Sequence, residues 1–295
     1  MNPAMASALD PGASLAPVAG RRRKVAPARA QRRAIASYLG AILVWQIGSM
    51  STRWFGFEVP FFSRIPAPSG VVAAWYRLIG DPGYWQSWLV SSERVTAGFA
   101  AAVVAGVPVG LVMALSRPVR EVFFPVFELL RPIPPLAWVP VAIIFWPTQE
   151  LSIAFVIFIG AFYTIVLNAL NGARAIDPRL VQLARSMGAS EFNVFRRVVL
   201  PGALPSILVG MEVSIGITWE VVVAAELISG GGHSGASTSG GGLGFFIWNS
   251  YVGGSYSQIV VGMISIGIAG YLSCAALRAV ASRVARWDAP HGGRA

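Results

Sequence analysis

The chain predicts an all-α integral membrane protein with six transmembrane helices, and three observations carry that prediction. Its residues are 55% hydrophobic and 12% charged, with a mean hydropathy of +0.62, against about 25% charged in ordinary soluble domains. Six apolar runs recur along 295 residues, each close to the roughly 20 residues that a helix needs to cross ~30 Å of hydrocarbon. The 23 Lys and Arg residues gather in alternate loops between these runs, which is how orientation signals are distributed and not how a nucleic-acid surface is built.

Residues 1–33 carry Arg21, Arg22, Arg23, Lys24, Arg29, Arg32 and Arg33 among Ala and Pro, a composition too polar to build a core. This segment is expected to be a disordered basic cytoplasmic tail. Ala34 to Met50 is an uncharged apolar run, and the following STRWFGF offers no A-x-A-like cleavage site, so it is read as a retained first span and not a signal peptide. In the loop after it, PSGVVAAWYRLIG places Val71, Val72, Trp75, Leu78 and Ile79 at helical spacing, which predicts a short interfacial helix with Trp75 and Tyr76 at the headgroup level.

The remaining spans fall at about 88–115, 121–147, 151–170, 205–229 and 257–281. The transmembrane domain therefore covers 34–285, with a polar loop at 171–203 and a C-terminal tail at 286–295. If the N-terminus is cytoplasmic, 18 basic residues lie on the inner side, three on the outer side, and Arg94 and Arg131 fall within spans. That bias places both termini and the 171–203 loop in the cytoplasm. The third span contains Pro125, Pro132, Pro134, Pro135, Pro140 and Pro147. No uninterrupted helix tolerates RPIPP, and broken backbone at membrane depth survives only when packed in protein or lining a cavity. Ser229 to Gly244 is a Gly/Ser tract, expected to be a mobile outer loop.

Catalytic machinery is missing from the pattern. The one lysine, Lys24, follows Arg23, so no GK[ST] phosphate loop exists and this chain does not hydrolyse ATP alone. His233 and His291 lie in a Gly/Ser loop and a tail without metal-ligand spacing, and no G-x-S-x-G elbow occurs. Cys274 lies in an apolar run and reads as a small packing residue. The intramembrane ionisable residues are Glu93, Arg94, Glu128, Arg131, Glu212, Glu220 and Glu226. Each costs about 2.5–3.5 kcal/mol at a helix centre facing lipid, so each faces protein, water or an interface. Glu212 and Glu226 sit near opposite ends of the fifth span and are expected to reach the interface. Glu128 and Arg131 are three apart and are expected to pair, whereas Glu220 is central enough to sit on a translocation path.

In the polar loop, Asp177 caps a helix whose first residue is Pro178, and RLVQLARSM runs to Gly188, a natural stop. Leu180, Leu183, Ala184 and Met187 form one apolar face, with Arg179 and Arg185 turned away. A second short helix, SEFNVFRRVV, begins at the cap Ser190 and is expected to stop before Pro201. Two such helices at an inner surface read as a docking element for a partner chain.

QLARSMGASEFNVFRRVVLPGALP resembles the cytoplasmic loop of permease subunits of ATP-binding cassette importers. Gln182, Leu183 and Ala184 stand at the start of that motif, where the family begins Glu-Ala-Ala. Gly188 stands at its glycine, and Leu200 with Pro201 at its end. SSERVTAGFAAAVVAGVPVGLVMALS, ELLRPIPPLAWVPVAIIFW, SIGITWEVVVAAELI and GLGFFIWNSY are similar to the branch that imports nitrate, sulfonates and taurine. The resemblance covers about residues 34–285 and implies a type I importer permease fold with cytoplasmic coupling helices in a bacterial inner membrane. It implies ATPase coupling by Gln182, Leu183, Ala184, Arg185, Gly188, Ala189, Ser190, Leu200 and Pro201. Arg131, Pro134, Trp138, Trp219, Glu220 and Glu226 are the translocation-path candidates. Glu226 falls at the family's Ala-Glu position, and Glu220 lies where an apolar residue is more usual.

The implied partners are a second copy of the chain, two ATPase subunits that hold ATP and Mg, and a periplasmic or lipid-anchored solute-binding protein, with no cofactor on this chain. The implied solute is a small anion such as nitrate, or a sulfonate or taurine. Bicarbonate, cyanate or another small organic solute is the alternative within the class. A secondary transporter without an ATPase is the alternative outside it, although the two halves show no convincing internal repeat.

Overall fold

A computed structural model describes residues 27–51, 56, 65–230 and 241–285, and every regular element among them is helical. The helices are α1 (Pro27–Ser49), α2 (Pro68–Leu78), α3 (Pro82–Leu115), α4 (Arg117–Leu130), α5 (Val139–Phe145), α6 (Gln149–Arg174), α7 (Pro178–Ser186), α8 (Glu191–Val194), α9 (Leu200–Gly230), α10 (Leu243–Val252) and α11 (Tyr256–Val284). A 3-10 turn over Pro135–Trp138 separates α4 from α5. The tail 286–295 and residues 231–240 of the Gly/Ser tract lie outside the described residues. Residues 27–33, expected in the disordered tail, are helical and extend α1. The segment ARAQRRA consists of strong helix formers.

Four helices are long and apolar enough to cross a membrane: α3, α6, the continuous helix Glu191–Ile228 that contains α8 and most of α9, and α11. The pair Arg117–Leu130 and Pro135–Phe145, bent by 90°, brings the number among the described residues to five when it is taken as one broken span. The expected count of six is therefore not confirmed among the described residues. The shortfall is at α1, whose uncharged stretch Ala34–Met50 gives only about 26 Å of helix after Arg29, Arg32 and Arg33. Most of its side chains are exposed in the single chain. Gln46 anchors it to α2, with Nε2 donating to Ser69 Oγ and Oε1 accepting from Ser69 N, both at 3.1 Å.

The break in the third span lies at Arg131–Pro134, while Pro125 and Pro140 stay within helices. The interfacial helix forms as α2, which buries Val71 and Leu78 beside Tyr84 and Val261. Asp81 then starts α3 by accepting from Gly83 N at 2.9 Å. The second helix of the polar loop does not stop before Pro201. It continues from α8 through a π turn, Phe195–Val199, into α9. A widened turn ending one residue before α9 begins lets the chain pass the missing N–H of Pro201 without a break.

α6 is the centre of the bundle, with α3 on one side and α9 on the other. Ile153, Val156, Ile157, Ile165 and Val166 of α6 are fully buried. Because lipid is as apolar as these side chains, close packing holds the helices together, and small residues permit it. At Gly110 of α3 a Cβ would stand 2.5 Å from the Val166 carbonyl oxygen and 2.7 Å from Ala169 Cβ. Gly110→Val is therefore expected to cost about 1–3 kcal/mol, roughly 3–10 °C in the thermal midpoint of the detergent-purified protein. Gly267→Ala, where a Cβ meets nothing within 4 Å, is expected to leave that midpoint unchanged. Equal midpoints for the two variants would count against this packing.

Candidate functional site

The polar elbow between α6 and α9 is built by local hydrogen bonds. Asp177 Oδ1 accepts from Arg179 N at 2.8 Å and Pro178 occupies the first turn of α7. At the other end Gly188 N donates to Arg185 O at 2.9 Å and Ala189 N to Ala184 O at 3.1 Å. This is the double closure of a Schellman cap. It needs a left-handed residue, and Gly188 has φ +82°. A Cβ there would meet nothing within 4 Å, so substitution strains the backbone without striking a neighbour in the chain. Ser190 Oγ accepts from Asn193 N at 3.4 Å to start α8, and Arg185 Nη2 pairs with Glu191 Oε2 at 2.9 Å across the two helices.

The elbow presents apolar groups outward. Leu180, Leu183, Met187 and Phe192 are all more than half exposed. Leu180, Leu183, Ala184 and Met187 line a shallow groove of 460 Å³ with Arg197, Val198 and Pro201. Gln182 and Arg185 lie on another side, in a 410 Å³ cavity shared with Ile176, Glu191 and Phe195. Ala189 is half-buried, and Leu200 packs inward against Leu111, Ala169, Ala203 and Ile207. The coupling candidates thus divide into an outward apolar face, a polar side and residues that shape the turn.

At the opposite end of the bundle is a charged network that no sequence spacing announced. Glu226 of α9 is 1% exposed. Its carboxylate accepts from Arg94 Nη1 at 2.8 Å and from Gly244 N at 2.8 Å, and both oxygens lie 2.9 Å from Ser91 Oγ. Ser91 Oγ also accepts from Leu243 N at 2.8 Å. Arg94 Nε donates to Glu150 Oε2 at 2.8 Å, and Arg94 Nη2 donates to the other oxygen of Glu150. The network joins α3, α6, α9 and the N-terminal end of α10, where a carboxylate also meets the positive end of the helix.

Glycines at the end of the Gly/Ser tract make room for it. A Cβ on Gly242 would stand 2.0 Å from Glu226 Oε1, and one on Gly244 would stand 2.4 Å from the Val223 carbonyl oxygen. The expectation that Glu226 reaches an interface is corrected: it is sealed inside the chain. The expected mobility of the tract does not extend to Gly241–Gly244, which dock against this network. The available signal was the pair of charges Glu93–Arg94 inside an apolar run, but the partners of Arg94 are 56 and 132 residues away.

The other path candidates scatter. Trp219 is buried, its Nε1 donating to Ser273 Oγ at 3.0 Å. Trp138 is half-buried against the same core, and its indole N–H is buried without an acceptor among the described residues. Arg131 ends α4 at the bend and is exposed, as is Pro134. The expected Glu128–Arg131 pair does not form: both side chains are exposed, and Arg131 sits where α4 gives way to the bend. Glu212 pairs with Arg278 of α11 at 2.5 Å. Glu220 is exposed on α9. No group of three His, Cys, Asp or Glu side chains suited to a metal occurs among the described residues.

Residues 106–287 match the family described as the binding-protein-dependent transport system inner membrane component. The chain belongs to this family. The permease is 32% identical to the nitrate import permease protein of Leptolyngbya laminosa, over 87% of this chain and 95% of that protein. It is 33% identical to the bicarbonate transport system permease protein of Synechococcus elongatus, covering 81% and 84%. It is 34% identical to the taurine transport system permease protein of Escherichia coli, covering 76% and 80%. Among solved structures, a chain of the MetNI methionine ABC transporter aligns with a TM-score of 0.54 and 20% identity, over 72% of this chain and 97% of that one. The permease therefore has the type I ABC importer permease fold and is an integral membrane subunit of an ATP-driven importer.

Proposed function

We propose that this permease carries a small anionic solute, nitrate or a sulfonate such as taurine, into a bacterial cell across the inner membrane. Two copies line one pathway. Two separate ATPase subunits hold ATP and Mg and drive the cycle, and a periplasmic or lipid-anchored solute-binding protein delivers the cargo. Both termini and the elbow between α6 and α9 face the cytoplasm, the reading that the bias of basic residues supports.

The exposed apolar elbow carries this reading. Leu180, Leu183, Met187 and Phe192 stand out from an otherwise polar segment. Such a surface lowers its free energy by docking in a groove of another chain. A rigid elbow held in that groove turns closure of the ATPases into movement of α6 and α9, because it touches the two states differently. A carrier that works alone has no need of such a surface. Nitrate, bicarbonate and taurine in the names of the similar permeases support a small anionic or zwitterionic cargo.

The test is uptake into proteoliposomes containing the permease, the ATPase and the binding protein from neighbouring genes. ATP-dependent accumulation of nitrate, bicarbonate or taurine, lost when the ATPase is omitted, is the expected result. Accumulation that proceeds without the ATPase would establish the secondary-transport alternative.

A further inference from the structure

One side of α9 is packed and the other is open. Ser214, Thr218, Val221, Val222 and Ala225 are buried. On the opposite side Val209, Val213, Gly216 and Glu220 are exposed at intervals of four, three and four residues, which places them on one stripe. A side chain at Gly216 would enter open space. Valines and a glycine suit lipid, but a carboxylate does not, because burying an ionised group without a partner is costly. Glu220 lies six residues, about 9 Å of helix, deeper than the sealed Glu226.

The other two glutamates of the α9 span beyond its elbow each have an arginine: Glu212 has Arg278 at 2.5 Å, and Glu226 has Arg94 at 2.8 Å. No arginine or lysine among the described residues pairs with Glu220. Among the described residues Glu93 of α3 and Glu128 of α4 are likewise exposed without a cation. A carboxylate on the open side of α9 with no opposite charge beside it repels a bare inorganic anion.

We infer that Glu220 is a specificity-determining residue that receives the cationic group of the transported solute, so that the cargo is a zwitterion bearing an ammonium beside its acid group. This rests on the reading of the chain as an importer permease whose two copies line one pathway. A fixed carboxylate on the pathway wall favours an ammonium by direct charge-assisted hydrogen bonding. It disfavours a simple anion by like-charge repulsion.

The experiment uses the assembled importer in proteoliposomes, with labelled taurine and labelled nitrate as probes at matched concentration. The wild type is expected to accumulate taurine at least about tenfold faster than nitrate. Glu220→Gln is expected to slow taurine uptake by about tenfold while still co-purifying with the ATPase, and Glu220→Asp to recover part of it. Preference for nitrate, or unchanged taurine uptake by Glu220→Gln, overturns the inference.

A second arm reads position alone. Glu220→Cys in a Cys274→Ser background is expected to react with a charged, membrane-impermeant thiol reagent in the assembled importer. Protection of that cysteine while ATP-driven uptake continues overturns the inference and leaves the proposed function standing. Absence of ATP-driven uptake of nitrate, bicarbonate and taurine by the wild type brings down the proposed function, and this inference with it.

Discussion

Arg94→Ala is expected to be the most destabilising single truncation in the bundle. It removes a guanidinium that is 7% exposed and joins Glu226, 1% exposed, to Glu150, 63% exposed. The two halves of this network differ in weight. The Glu150 side is open to solvent, and such pairs contribute about 0–1 kcal/mol. The Glu226 side is sealed, and deleting one member of a buried pair costs about 3–5 kcal/mol because the remaining charge has nowhere to go. The thermal midpoint of the purified permease should fall by on the order of 10 °C, whereas Glu150→Ala should move it by no more than about 3 °C. Pairing Arg94→Met with Glu226→Leu is expected to restore much of the loss, since the carboxylate leaves along with its partner. If Arg94→Ala unfolds within about 2 °C of wild type, the network does not hold the end of α10 in the way described.

The second large effect is expected at the elbow. Leu183 and Met187 are 59% and 79% exposed in the single chain, so replacing both with glutamate removes little packing from the permease itself. The doubly substituted protein should elute and melt like wild type. Its affinity for the ATPase should fall on the order of thirtyfold or more, the scale of an interface hot spot, and be read as lost co-purification. Gly188→Ala is the complementary probe. It leaves the apolar face in place and strains the left-handed turn at φ +82°, at a cost of about 1 kcal/mol. It should weaken ATPase stimulation less than the double substitution does. Full ATPase stimulation with both Leu183→Glu and Met187→Glu present would refute the docking role.

The elbow was legible in sequence because its determinants are local. Asp177, Pro178, Gly188 and Ser190 are a cap, a first-turn proline, a left-handed stop and a second cap, each acting within a few residues of itself. The RPIPP break was legible for the same reason: a proline removes its own donor wherever it stands. The end of the second short helix was misread because Pro201 is accommodated by a π turn, a change of helical geometry that propensity does not encode. The first span is not confirmed because its run of 17 uncharged residues lies at the short end of the crossing length and follows three arginines.

Hydrophobic runs, capping residues and the placement of basic side chains made the all-helical membrane class, the capped elbow and the family resemblance readable from the chain alone, since each depends on neighbours in sequence. The pairing of Arg94 with Glu226 and Glu150 depended on three helices meeting at one end of the bundle. So did the division of α9 into a sealed glutamate and an open one. A carboxylate in an apolar run announces that it needs a partner or water; only packing between distant segments decides which it receives, because the electrostatic cost is set by surroundings that sequence distance does not specify.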